Sequence, residues 1–413
     1  MEKCESYPID NSAILYLAQM GREHTNVYRF TVTLKEPVCP ELLQQAADRV
    51  YTRFPTIFAG FRPELFSYSM VPSLKAPEVC SDPGLLKTMQ PEEMRRCAYR
   101  IYYSGCEISI EAFHALTDGY GAVMSFRTLT AEYLYLRWGV DSQERREMLE
   151  GGEPDWQEEL RDSYLDYAEQ KPSGMPGRYA YQLSGKNRDW QVKAFRESYS
   201  TRSLLEAARG HGVSLTALLS GIMAESIMEL QQKNNPSRKG RPVRVMVPID
   251  LRRQFPSRTL RNFILYALPS MEPEEAQLPR RERLQRLHAQ IRRQTSREML
   301  GAQIARNVRL QNSVLFRIIP RWVKCAAMRL AYRFFGESNS SITLTNLGPV
   351  QLSETLAAHI RRIDVHLTPR RGSPYNCALI SCGDTTSISI TRFGAAPELE
   401  PLFFAKLRDA LRT

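Results

Sequence analysis

The chain has 413 residues, 43% hydrophobic and 24% charged, with a formal net charge of +11. That is the composition of a globular protein long enough for two domains, and it excludes a disordered polar chain. No apolar run approaches the roughly 20 residues that span a bilayer, and the eight cysteines form no CxxC pair of the kind that marks a zinc site or redox dithiol.

The charge is uneven. Residues 231–340 hold 23 Lys and Arg against 7 Asp and Glu, and the remainder is slightly acidic. An anionic partner and a set of solvated helix faces are both open readings. Nucleic acid is not expected, because the basic residues match no recognised reading module. The residues from Met1 to Glu5 lack the charged-then-apolar pattern of an export signal, and the scattered cysteines read as reduced thiols, so a cytoplasmic location is expected.

In chain order, residues 27–34 alternate as a strand, 41–54 have helical spacing and 57–61 are strand-like. Two strands, 98–104 and 107–113, join at Gly105 and Cys106, and a long helix follows over 120–137. The segment 171–177 is dense in Pro and Gly and reads as a linker. Beyond it come a strand at 192–199, a helix at 201–209 and a second helix that Ser214 can cap. Strands are expected at 243–249 and 262–268, and helices at 272–299, 301–313 and 320–335. Four more strands, at 340–346, 361–367, 375–382 and 385–392, and a helix over 397–411 complete the chain. Strands interspersed with helices predict α/β layers. The segment 316–335 carries aromatic residues among four Arg and one Lys. It reads as a core helix with snorkelling basic side chains, with a membrane-surface helix as the alternative.

The most informative stretch runs from Ile108 to Gly119. A β-branched strand leads to His114, a short turn delivers Asp118 and Gly119, and a helix follows. A histidine at a strand end is aimed by rigid backbone, and its ordinary pKa of about 6.5 suits a general base. Asp118 can fix the loop, and Gly119 permits a turn or a close backbone approach. His24, His211, His288, His359 and His366 read as structural or surface residues. There is no GxGxxG, P-loop or GxSxG nucleophile elbow.

His114-Ala115-Leu116-Thr117-Asp118-Gly119 resembles the HxxxDG motif of the CoA-dependent acyltransferase superfamily. That group includes chloramphenicol acetyltransferase, the BAHD acyltransferases, alcohol acetyltransferases, wax ester synthases and condensation domains. Three later segments resemble other parts of it in the right order: the strand reaching Asp250, Leu251 and Arg252, the Asn-bearing segment around Asn262, and the strand and turn Thr343-Leu344-Thr345-Asn346-Leu347-Gly348-Pro349-Val350. Condensation domains usually carry two adjacent histidines, where this chain has Phe113 and His114, and the BAHD signature DFGWG is absent. Both departures point to the stand-alone alcohol acetyltransferase branch.

The resemblance implies an α/β fold of two chloramphenicol-acetyltransferase-like domains, each a mixed sheet flanked by helices, with the active-site channel between them. It places the first domain at 1–170, the linker at 171–190 and the second domain at 191–413. It also implies an acyl-CoA-dependent O-acyltransferase of short-chain preference, with acyl-CoA as co-substrate and no bound cofactor or metal. The acceptor would be a small or lipid-like alcohol. The catalytic residues would be His114, Asp118 and Gly119, with Arg252 as the structural partner of Asp118 and Arg253 as its fallback. Thr343, Thr345 and Asn346 are the candidate oxyanion or acceptor donors, and Asn346 has the alternative of shaping its turn. The basic segment would then face the CoA phosphates, an acidic carrier or a membrane surface. The alternatives are an N-acyltransferase or condensation-like enzyme using a carrier-bound acyl group, and a catalytically silent binding protein of this fold.

Overall fold

The computed structural model describes residues 6–21, 25–151, 154–168, 179–183, 191–234, 240–332, 337–370, 372–394 and 396–412. The Pro- and Gly-rich segment 171–177 lies outside them, as does most of the 171–190 linker. The strands are β1 (Tyr7–Pro8), β2 (Val27–Leu34), β3 (Ala59–Pro63), β4 (Tyr68–Pro72), β5 (Val79–Ser81), β6 (Tyr99–Ser104), β7 (Glu107–Phe113), β8 (Lys193–Ser200), β9 (Val243–Asp250), β10 (Ile264–Ala267), β11 (Ser270–Met271), β12 (Ile342–Pro349), β13 (Ile360–Leu367), β14 (Tyr375–Cys382) and β15 (Thr385–Arg392).

They form three sheets flanked by helices. A five-stranded sheet has the order β13-β2-β7-β6-β5. A seven-stranded sheet has the order β10-β9-β12-β14-β15-β8, with β11 beside β9. A small sheet, β1-β4-β3, stands apart. Both large sheets mix parallel and antiparallel pairs: β5 runs parallel to β6, and β12 parallel to β9 and β14.

The two halves of the sequence share a sheet. β13 comes from the second half, yet it lies antiparallel to β2 at the edge of the first sheet. Ile360, Ile363 and Val365 from that strand join the first core, with Phe30, Ile101, Ile110, Phe126 and Leu129. The second core packs the helix Leu215–Asn234 and the helix Leu399–Ala410 against β9, β12, β14 and β15, through Leu218, Ile222, Leu344, Leu379, Phe403 and Leu407.

Alternation in β2 predicts one solvated face, but every residue of this strand is buried. Its polar face is matched by its neighbours instead. Arg29 Nε donates to Glu111 Oε1 at 3.0 Å, its two terminal nitrogens reach Asp82, and Thr31 Oγ1 lies 2.8 Å from Ser109 Oγ.

The expected helix 272–299 and the basic segment 316–335 are each divided at a proline, which lacks a backbone donor and restrains the residue before it. The 272–299 span becomes a 3-10 turn at Pro273–Gln277 and a helix at Arg280–Gln294, parted at Pro279. The 316–335 span becomes the helices Val314–Ile318 and Arg321–Ala331, parted at Pro320. The latter is not a core helix: Lys324 and Cys325 are its buried residues, while Trp322 is 70% exposed.

His366 is buried in β13, with its Nδ1 unpartnered. Burial holds its pKa down to about 4, against about 6.5 unfolded. The unfolded chain therefore takes up a proton between pH 6.5 and 4 that the folded chain refuses, and this contribution to stability is lost as pH falls through that window. It amounts to up to about 3 kcal/mol. Asp162 works in the opposite sense, since burial and then the Asp10 charge raise its pKa to about 7. The check is therefore a difference. The melting temperature of His366→Gln should fall less than the parent's between pH 6.5 and 4.5; parallel curves would contradict the reading.

Candidate active site

His114 sits one residue beyond β7, where sheet register ends. Val27 pairs with Phe113, and the His114 amide donates to Asn26 O at 2.9 Å. Asn26 has φ of 48°, a left-handed conformation that asparagine tolerates better than most residues. Its side chain donates to Tyr16 O at 3.0 Å. Tyr16 in turn stacks on the imidazole, with centroids 4.2 Å apart and planes 12° off parallel, and Tyr28 meets it edge-on at 5.2 Å. The ring is thus held on two sides, and the residue remains half-buried rather than sealed.

The proton on the ring follows from a chain of acceptors. Asp10 caps the helix Ala13–Gln19: its Oδ1 accepts from the Ser12 and Ala13 amides at 2.9 and 2.8 Å. Its other oxygen accepts from Asn262 Nδ2 at 3.2 Å. A carboxylate accepts only, so the Asn262 amide nitrogen must face it and the Asn262 carbonyl must face His114. Asn262 Oδ1 lies 3.1 Å from His114 Nδ1. Nδ1 therefore carries the proton, and among the described residues nothing bonds the Nε2 lone pair. Burial lowers the His114 pKa below the ordinary histidine value, while hydrogen bonds to its own backbone and to Asn262 and the Asp118 charge pull the other way. At neutral pH the imidazole is a neutral base.

Asp118 is fully buried and faces away from this base. Its Oδ1 caps the helix Gly119–Trp138, accepting from the Tyr120 and Gly121 amides at 3.0 and 3.4 Å. Its Oδ2 accepts from Arg252 Nη1 and the Phe263 amide, both at 2.8 Å. Arg252 also donates to Asp250, Thr259 O and Arg261 O, and its guanidinium lies over the Tyr120 ring at 4.5 Å. Burial disfavours the Arg252 charge, but Asp118 and Asp250 outweigh it and raise the pKa. Tyr28 and Thr117 close the loop: Tyr28 Oη donates to Thr117 O at 3.0 Å, and Thr117 Oγ1 to Leu260 O at 2.5 Å.

The two glycines of the loop differ. A Cβ at Gly119 would meet Leu347 Cδ2, a movable side-chain end, at 2.6 Å. A Cβ at Gly121 would meet Thr117 Oγ1 at 2.2 Å and the Leu260 carbonyl oxygen at 2.5 Å. The close backbone approach is therefore at Gly121, which sequence reasoning did not single out, and the approach at Gly119 places the end of β12 beside the loop.

On β12, Thr343 and Thr345 share the face opposite the core residues Ile342 and Leu344. Thr343 Oγ1 has the Met246 sulfur at 3.9 Å, a weak acceptor. Thr345 is half-buried, and its hydroxyl meets no partner among the described residues. Asn346 is occupied at both ends: it donates to Thr216 Oγ1 at 3.0 Å and accepts from the Gly348 amide at 2.9 Å. Gly348 has φ of 74°, so Asn346 shapes the turn and is not a free donor. The structure thus joins His114 with Asn262, and Asp118 with Arg252. Asp10, Tyr16 and Asn26 belong to the same site. The signal for Asp10 was weak: it stands three residues before the helix, and Ser12 occupies the position a capping residue is sought in.

No family model matches the sequence, and no curated protein sequence matches it. Solved structures do match. TRI101 of F. graminearum, solved with coenzyme A and T-2 mycotoxin, superposes with a TM-score of 0.64 at 12% identity, over 97% of each chain. Trichothecene 15-O-acetyltransferase of Fusarium sporotrichioides gives 0.62 at 11%, over 98% of this chain and 94% of that one. The epimerization domain of tyrocidine synthetase B gives 0.62 at 11%, over 98% and 95%. The fold is that of these proteins. The mixed α/β fold of sheets flanked by helices that the HxxxDG resemblance implies therefore extends along nearly the whole chain.

Replacing Asn262 with alanine should remove the acceptor that fixes the imidazole. Partners that orient a metal-ligating histidine are worth about 10–100-fold, and the same order is expected for this orienting bond. We expect kcat to fall by that factor and the acid limb of the pH profile to move lower, because the Asn262 hydrogen bond raises the His114 pKa. An unchanged rate with an unmoved limb would remove Asn262 from the site.

Proposed function

We propose that the protein transfers an acyl group from acyl-CoA to an alcohol. The observation that carries this is the His114 imidazole, fixed by Asn262 and Tyr16 with Nε2 free. Nε2 takes the proton of the acceptor hydroxyl as its oxygen attacks the thioester carbonyl. The new C–O bond forms, the C–S bond breaks, and the proton passes to the departing thiolate, giving an ester and free CoA. General base catalysis of this kind is worth about 10²–10⁴-fold. Among the described residues no Ser or Cys hydrogen-bonds His114, which favours direct transfer over an acyl-enzyme. Thr345 is the donor best placed to meet the oxyanion, with a free hydroxyl on the strand that reaches Gly119. Asp118 and Arg252 hold the loop. A neighbour of this fold was solved with coenzyme A and a mycotoxin, which supports the thioester donor.

The test is thiol release from acetyl-, butyryl- and palmitoyl-CoA against mixed alcohols and amines, with products identified by mass. Esters from a CoA donor support the reading. Amides alone would favour the amide-forming alternative, and no release with any pair would favour a silent binding protein.

Part of the basic surplus is used internally, since Arg280 and Arg283 pair with Glu225. Another part flanks exposed apolar residues. Leu310, Val314, Ile318 and Trp322 recur every four residues and are 61–74% exposed. From 299 to 336 the chain carries seven Lys and Arg and no acid. This favours contact with an anionic bilayer surface, where apolar side chains insert and cations meet headgroups. The protein should sediment with phosphatidylserine vesicles and less so as Trp322→Ser; no sedimentation, or none that depends on Trp322, would leave the face solvated.

A further inference from the structure

Several arginines of the interior are held by acids: Arg29 meets Asp82 and Glu111, Arg145 meets Glu132, and Arg252 meets Asp118. Arg261 is held by the Leu160 and Pro8 carbonyls instead. Arg370, half-buried, has neither kind of partner among the described residues. Its Nη1 is buried and makes no hydrogen bond, and among the described residues no carboxylate pairs with the guanidinium. The Tyr332 ring lies 4.9 Å from it, and the phenol of Tyr16 is within reach of its charge. With no anion beside it, burial pushes the Arg370 pKa down to about 10.

Register places this charge near the base. Leu367 pairs with Tyr28, and Tyr28 with Ala112, two residues before His114. The Thr368 amide then reaches Val27 O at 3.2 Å, so Arg370 follows at the sheet end where His114 stands. Tyr16 links the two electrostatically: it stacks on the imidazole and lies within the field of the guanidinium. A second orphan lies alongside. Arg370 and Ser373 exchange backbone hydrogen bonds at 2.9 and 3.1 Å, and the Ser373 hydroxyl is buried without a partner.

Arg370 Nη1 and Ser373 Oγ are two buried donors, one of them cationic, and together they define a binding chemistry. A planar guanidinium donates two parallel N–H groups to a carboxylate, and a hydroxyl can add a third. A buried guanidinium lacking such a partner is unfavourable unless something else supplies the charge. We propose that Arg370 and Ser373 receive a carboxylate carried by a substrate that reaches His114. The acid would belong either to the acceptor, as a hydroxy acid, or to the acyl group, as in malonyl- or succinyl-CoA. The identity of the carrier rests on the acyl-transfer reading; the anion site itself does not.

The experiment is calorimetric titration of the full chain, without turnover, in two arms. One compares a panel of small aliphatic and aromatic hydroxy acids with their methyl esters. The other compares malonyl- and succinyl-CoA with acetyl- and butyryl-CoA. In one arm the carboxylate should bind about 10²-fold tighter than its neutral counterpart, because the site's buried donors are otherwise unpaired. Arg370→Gln should erase the preference, and Ser373→Ala should reduce it about 10-fold. The arm that shows the preference names the carrier. No preference in either arm, or one that survives Arg370→Gln, overturns the proposal. Melting gives a second readout. With no acid on the protein to abandon, Arg370→Gln should melt at or above the parent, and a marked fall would make Arg370 a structural residue instead. If the carboxylate preference is found while no acyl-CoA releases thiol with any acceptor, the acyl-transfer reading fails and the anion site stands.

Discussion

His114→Ala is expected to lower acyl transfer by about 10²-fold or more, the lower range for loss of a general base. The protein should stay folded. His114 is half-buried, its backbone amide bond to Asn26 does not depend on the side chain, and Tyr16 and Tyr28 are tied to other groups. Acyl-CoA affinity should change little, because in the proposed reaction the imidazole acts on the acceptor's proton. The parent's own pH profile bears on the same point. The base works only unprotonated, and burial lowers its pKa, so kcat/KM should be flat through neutrality and decline below the ordinary histidine value of about 6.5. A variant as fast as the parent with its best acceptor, or a parent whose rate halves near pH 7.5, would contradict the assignment.

Asp118→Asn is expected to cost about 3–5 kcal/mol of stability, the range for breaking a buried ion pair on one side. The geometry makes the amide a poor replacement. Asp118 Oδ2 faces two donors, Arg252 Nη1 and the Phe263 amide, and Oδ1 faces two more, at Tyr120 and Gly121. An Asn side chain presents an NH₂ group to one pair or the other, whichever way it turns. The Arg252 charge is left buried with only Asp250 beside it. Denaturant unfolding should show a large fall in midpoint, and activity should fall with loop order rather than through acceptor KM alone. Unchanged stability with a selective rise in acceptor KM would place Asp118 in the substrate site.

Much of this was legible in the residues. The strand-turn-helix around His114, the long helix after it and the paired strands near the C-terminus all follow from periodicity and turn chemistry. The Arg252 guanidinium reaches Asp118 across 134 residues of chain. What could not be read was the third dimension of the site. Asp10 and Asn262 are 252 residues apart and meet only because the first helix and the loop before β10 converge behind His114. Each looks ordinary alone, one as a helix cap and one as a loop amide. The burial of β2 was illegible for a similar reason. Arg29, Thr31 and Thr33 look like a solvated face until Glu111, Ser109 and Glu107 arrive opposite them in register. The helix breaks at Pro279 and Pro320 were present in the sequence, and apolar spacing across them concealed the interruption.

The proposed reaction needs a neutral imidazole with its proton on Nδ1 and its lone pair on Nε2. Nitrogen-15 spectra of histidine-labelled protein, with His114 assigned by comparison with His114→Ala, measure this directly. At pH 7 the predicted result is a protonated Nδ1 and a bare, pyridine-type Nε2, with titration below about pH 6.5. A His114 ring protonated at Nε2, or cationic at pH 7, would contradict it.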